Sequence, residues 1–154
     1  MIKNNLTIYD PIYGDIYLSN IAHKIIDSAE FQRLRYIKQI GTVNLLFPSA
    51  INTRFEHSLG TYQMTGLLLN YLLSNSNIDD IINPLKDIGE INEYLGDNKQ
   101  LDYIFELVKI AGLCHDIGHG PYSHLFDDFL RKNLKINNYN HEYRSELIFE
   151  KIIK

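Results

Sequence analysis

What the sequence lacks narrows it first. It has a single cysteine, Cys114, so it can form no internal disulfide and build no multi-cysteine zinc site. It has no excess of positive charge: 15 Lys+Arg stand against 19 Asp+Glu, a formal net charge of −4. Nothing in that total draws the chain toward nucleic acid or anionic lipid. It has no long apolar run. The longest, near Leu67–Leu73, is broken by Asn70 and falls far short of the ~20 residues that a membrane span needs. The opening MIKNNLTIYDPIYGD carries no apolar core of the signal-peptide kind. Neither an internal repeat nor a low-complexity tract is visible. These absences predict a soluble intracellular protein, cytoplasmic or nuclear, with no membrane partner and with nucleic acid disfavoured.

What is present suits one folded domain: 154 residues, 45% apolar and 22% charged. Residues 7–18, TIYDPIYGDIYL, place Asp-Pro and Gly-Asp between β-prone pieces and predict a small hairpin. Ser19 or Asn20 caps a helix to about Ser28. The helical pattern continues over 30–39 with Phe31, Leu34 and Ile37 inward. Arg33, Arg35 and Lys38 there read as a solvated face, and Gly41 ends the run. Thr53 and Glu56 form a capping-box pattern that opens a helix to about Leu73. Residues 74–100 are polar and read as a mobile insertion with at most one short helix. From Leu101 the spacing of Ile104, Val108, Ala111 and His115 predicts a helix with these residues on its inner face, stopping at Gly118, Gly120 and Pro121. Further helices are predicted over 122–133 and from His141, the latter capped by Asn140. The fold class is therefore mainly α with a small N-terminal β element. The last helix runs out at LIFEKIIK. Its Leu147, Ile148, Phe149, Ile152 and Ile153 lack partners, which favours a partial domain, 1–154, cut from something longer, over the alternative of a natural short protein. Self-association, or pairing with a homologue, is expected through that helix.

The histidines carry the chemistry. His115 and Asp116 adjoin at the end of an apolar helix, where a carboxylate is costly unless paired or bound to a metal. Imidazole with carboxylate suits a divalent transition ion, and His57, at the start of another helix, can add a third ligand. Any one of these histidines alone would read as an ordinary core or surface residue, and His23, with no pattern around it, does. His115, Asp116, His119 and His124 within ten residues, punctuated by glycines, do not read as packing. Arg54 shares a helix face with His57 and can clamp an anionic oxygen.

The segments DPIYGDIYL, FQRLRYIKQIG, FPSAINTRFEHSLG and IAGLCHDIGHGPYSHLFD, with NHE at 140–142, closely resemble the HD-domain superfamily of metal-dependent phosphohydrolases. Within it they are most similar to the SAM-and-HD-domain deoxynucleoside triphosphate triphosphohydrolases. The resemblance implies an HD-type helical domain that converts a dNTP and water to deoxynucleoside and triphosphate. It implies a divalent Fe, Mn or Zn ion held by His57, His115 and Asp116. His119, His124 and His141 are implied as catalytic groups, Arg54 as the phosphate contact and Gln39 as the residue facing the deoxyribose. Asp27, Gln32 and Arg35 match positions that hold an activating guanine nucleotide in regulated members, although Leu6 stands where those have lysine. The family's fourth ligand, a distal aspartate, has no counterpart here; the family has an aspartate at the position of Asp127 as well. Weak or absent turnover is accordingly expected. The rival readings are a defective HD remnant serving as a binding or interaction module, and an HD activity on cyclic nucleotides or nucleic acid.

Overall fold

The computed structural model describes residues 4–87, 98–135 and 139–154. Strands β1 (Asn4–Asp10) and β2 (Gly14–Ser19) pair antiparallel, with Ile8 opposite Ile16 and Asp10 opposite Gly14. The Asp10 carboxylate closes the turn by accepting from the amides of Ile12 (2.8 Å) and Tyr13 (3.0 Å). Gly14 supplies the left-handed φ of 71° that the turn requires. Period-two alternation then buries Ile16 and Leu18. Ser19 caps α1 (Asn20–Ile26), and Ser28 caps the short α2 (Ala29–Gln32).

The helix expected over 30–39 does not persist. It tightens into a 3-10 turn over Arg33–Tyr36, and Ile37 is extended. The backbone competes for a different partner here: Arg54 N donates to Ile37 O (2.8 Å) and Gln39 N to Asn52 O (3.0 Å). This pairing brings the Gln39 backbone beside the start of the next helix.

That helix, α3 (Arg54–Asn75), opens on the expected capping box, with Thr53 and Glu56 bonding reciprocally. Next come α4 (Ile78–Lys86) and α5 (Asn98–Cys114). The remainder of the expected insertion, 88–97, lies outside the described residues. Helices α3 and α5 run antiparallel in close contact. A methyl on Gly112 would meet Thr65 Oγ1 at 3.0 Å, so glycine there permits the approach. Tyr62 donates to the buried Glu106 (2.7 Å), which Lys109 also holds (2.9 Å). His57 and His115 thereby face each other at one end of the pair.

α5 packs one ridge round from the expected face. Leu101, Ile104, Ile110, Leu113 and Cys114 are buried, with Ile117 just beyond, whereas Val108, Ala111 and His115 are exposed. The core gathers Ile16, Leu18, Ile25, Phe31, Leu34, Phe55, Leu59 and Tyr62 with Ile110, Leu113 and Cys114 of α5 and Ile117 beyond it. α6 (His124–Asn133) begins two residues later than expected, because Tyr122 and Ser123 take positive φ (63° and 57°). Asn140 caps α7 (His141–Ile153). Its apolar face is narrower than expected: Ile148, Phe149 and Ile152 pack against the core, leaving Leu147 and Ile153 exposed. No helix among the described residues is long and apolar enough to cross a membrane.

Candidate metal centre and histidine cluster

The first turn of α3 and the end of α5 bring His57, His115 and Asp116 together. His57 Nε2, His115 Nε2 and Asp116 Oδ2 form a triangle with all three sides 3.3 Å. An ion bonded at about 2.0–2.1 Å in a tetrahedral array sets its ligands roughly 3.3–3.4 Å apart. The donor set fits a divalent cation on a second ground as well. His115 Nδ1 donates to Gly112 O (2.7 Å), which leaves Nε2 of the neutral ring as a lone pair aimed into the triangle.

Burial pushes the Asp116 carboxyl up, but the His115 and His119 contacts and the Arg54 charge outweigh it and hold the group well below the usual carboxylate range. Contact with Asp116 raises His115, whereas desolvation lowers His57. Both shifts follow from position: two imidazoles on the rim and one anion beneath them.

Arg54 lies beneath the triangle, 2% exposed. Its Nη1 donates to Asp116 Oδ2, Nε to Ser123 Oγ (3.3 Å) and Nη2 to Gln39 O (3.3 Å). Three of its five N–H groups are committed to partners among the described residues. The Gln39 Oε1 atom is buried without a partner.

A second cluster lies on the other side of Asp116. His119, His124 and His141 meet ring to ring: His119 stacks on His141 (centroids 3.9 Å, 17° between planes), and His124 meets them edge-on at 4.9 and 5.1 Å. Asp127 joins them, its Oδ2 2.6 Å from His141 Nδ1. These four residues also offer ligand atoms all within 4.8 Å of one another. His119 Nε2 lies 3.4 Å from Asp116 Oδ1, so one carboxylate faces both clusters. Beyond that contact, neither buried ring nitrogen of His119 has a partner among the described residues, and desolvation lowers its pKa.

The proposed regulatory positions divide. Gln32 and Arg35 come together (2.7 Å), with Arg35 lying 3.6 Å over the Phe55 ring. Asp27 is exposed and pairs instead with His23 (2.9 Å).

Several residues of the site were not legible as such. Arg33, read as a solvated charge, is instead partly buried and donates to the carbonyls of His119 (2.7 Å) and Ile117. Ser123 Oγ lies 3.0 and 3.1 Å from the Lys38 and Gln39 carbonyls, which share its one proton, and so ties that segment to Arg54. Arg144 and Ser145 grip the Asp116–Gly120 loop from α7, Ser145 Oγ accepting from Gly118 N (2.8 Å) and lying 2.8 Å from His115 O. The sequence signal for the last pair was its adjacency to the NHE motif.

The three-donor triangle could hold a cation, and it lies beside a buried arginine and a histidine cluster that shares its carboxylate. No family model matches the chain. Individual proteins do. The HD domain-containing protein L394 of Acanthamoeba polyphaga mimivirus is 47% identical over 145 residues, 93% of this chain and 30% of that protein. The deoxynucleoside triphosphate triphosphohydrolases SAMHD1 of Gallus gallus and Homo sapiens are each 41% identical, over 94% and 95% of this chain and 20% of their own length. The chain thus spans less than a third of the relatives it matches. Over that span, identity at this level supports membership of the HD-domain superfamily.

Proposed function

We propose that this chain carries the metal-binding and phosphate-handling part of a dNTP triphosphohydrolase, which hydrolyses a dNTP to deoxynucleoside and triphosphate. The observation that carries the reading is the 3.3 Å triangle of His57, His115 and Asp116 set against a buried arginine. His57, His115 and Asp116 would hold a divalent ion. Bound there, the ion would polarise a phosphate oxygen and lower the pKa of an attacking water. Three protein ligands with an open position are what a catalytic rather than a structural ion requires.

The protein's own groups do the rest. Arg54 offsets charge on the phosphate oxygens. His124 and His141 pack ring to ring with His119 beside the triangle, where an imidazole would act on the phosphates or the attacking water as general acid or base. The unpartnered Gln39 Oε1 is an acceptor for a sugar hydroxyl. Relatives named as deoxynucleoside triphosphate triphosphohydrolases support the substrate class.

The test is to incubate the purified chain with Mn2+ and dGTP and separate the products by anion exchange. Slow, Mn2+-dependent formation of tripolyphosphate with deoxyguanosine is expected, abolished by Asp116→Asn. Orthophosphate or pyrophosphate as the product would contradict the reaction. Nucleotide binding without turnover would favour the binding-module reading instead.

A further inference from the structure

Two cations hold the loop that follows Asp116, and they act differently. Arg33 donates to the carbonyls of Ile117 and His119. Arg144, buried in the first turn of α7, donates from Nε to the carbonyl between them, Gly118 O (2.8 Å), and from Nη1 to Tyr139 O. Only Arg144 reaches further. Its Nη2 lies 2.5 Å from Asp127 Oδ1, and the other oxygen of that carboxylate lies 2.6 Å from His141 Nδ1.

We propose that Arg144 is a positioning residue: by holding the Asp127 carboxylate it fixes the His141 ring as the Nδ1–H tautomer, with Nε2 the one nitrogen free to take a proton. An ionised carboxylate is acceptor-only, so the His141 nitrogen facing it must be the donor. The consequence extends one ring further. Beyond the 3.4 Å contact with Asp116, His119 has no hydrogen-bond partner among the described residues, and His141 is stacked on it at 3.9 Å, so the ring that Arg144 fixes is also a wall that orients His119. Lysine cannot substitute. A single ammonium cannot serve Asp127 and two carbonyls in the fork geometry of a guanidinium. The inference rests on the phosphohydrolase reading for its effect on turnover, and not for its effect on the tautomer.

The experiment is side-chain 1H–15N correlation on histidine-labelled protein at mildly alkaline pH, comparing the wild type with Arg144→Lys and Arg33→Lys. In the wild type His141 is expected to show a protonated Nδ1 and a bare Nε2. Arg144→Lys should give a mixture of tautomers. Arg33→Lys, which loosens the same loop without touching Asp127, should leave the His141 pattern unchanged. Where dNTP turnover is measurable, Arg144→Lys should lower kcat by roughly 10–100-fold with KM little moved. An unchanged His141 in Arg144→Lys, or an equal shift in Arg33→Lys, overturns the proposal. Should Arg144→Lys not fold, the wild type decides: resolved, slowly exchanging Arg144 guanidinium signals support it, and one averaged signal overturns it. A tautomer shift in a chain that hydrolyses no dNTP would sink the phosphohydrolase reading and leave the role of Arg144 standing.

Discussion

The two histidine clusters flank one carboxylate and differ in nearly everything else. On the outer side, His57 and His115 are 36% and 42% exposed and point Nε2 at Asp116 Oδ2 from 3.3 Å. On the inner side, His119 is 1% exposed, and it and its neighbours meet as stacked and edge-on rings. The outer arrangement converges three donor atoms that could share a cation. In the inner one the rings pack on one another: Asp127 holds His141, and His119 stacks on His141 with Asp116 3.4 Å from its Nε2. Residue type does not separate the two clusters; exposure and ring geometry do.

The comparison breaks most completely at the residue both sides share. Asp116→Ala should reduce Mn2+ affinity by at least about 100-fold, since losing an outer-shell partner alone costs 10–100-fold. It should also destabilise the fold by roughly 3–5 kcal/mol, because it strands the Arg54 charge, which is 2% exposed. Calorimetric titration and thermal melts would read the two effects separately.

Gly118→Ala should come next, and it should sharpen the contrast. A methyl there collides with the His141 carbonyl and the Ser145 amide, both backbone atoms of α7. The expected cost is about 1–3 kcal/mol or more, through displacement of α7 and His141. Mn2+ affinity at the outer triangle should survive within severalfold. A variant that loses both together would mean that the clusters are one unit.

Much of this was readable in advance, and the failures share a cause. RFEH, HDIGHG and NHE place their chemistry within a few residues, so local sequence exposes it. The capping box and the hairpin were legible for the same reason. Arg33, Ser123 and Arg144 act by donating to backbone carbonyls 84 to 86, 85 and 26 residues away, respectively, and no local pattern encodes such a partner. The face of α5 was misjudged because Val108 and Ala111 are apolar yet exposed, so apolar spacing alone pointed one ridge off. The 3-10 turn at Arg33–Tyr36 arose from long-range pairing of residues 37–39 with 52–54, which outweighed a good helical period.

The acid limb of stability offers a smaller effect. Burial pushes Asp116 and Asp127 up, but Arg144 and His141 hold Asp127 below its ordinary pKa, as the contacts already described do Asp116. The unfolded chain therefore binds more protons in acid. This stability is present above about pH 4, the ordinary carboxylate range, and is lost as pH falls below it. Urea midpoints measured from pH 6 downward should fall, and Asp127→Asn should flatten part of the slope. The smallest effect concerns Cys114, whose thiol burial pushes up to about 12. It should react with an aromatic disulfide reagent at neutral pH only as fast as the chain opens, and addition of Mn2+ should slow it further.

The most direct test of the division between the clusters is Mn2+ binding followed by calorimetry on the wild type, His115→Ala and His119→Ala. The account predicts one tight site per chain that His115→Ala abolishes and His119→Ala leaves within severalfold. Loss of that site in His119→Ala, with His115→Ala binding as the wild type does, would contradict it.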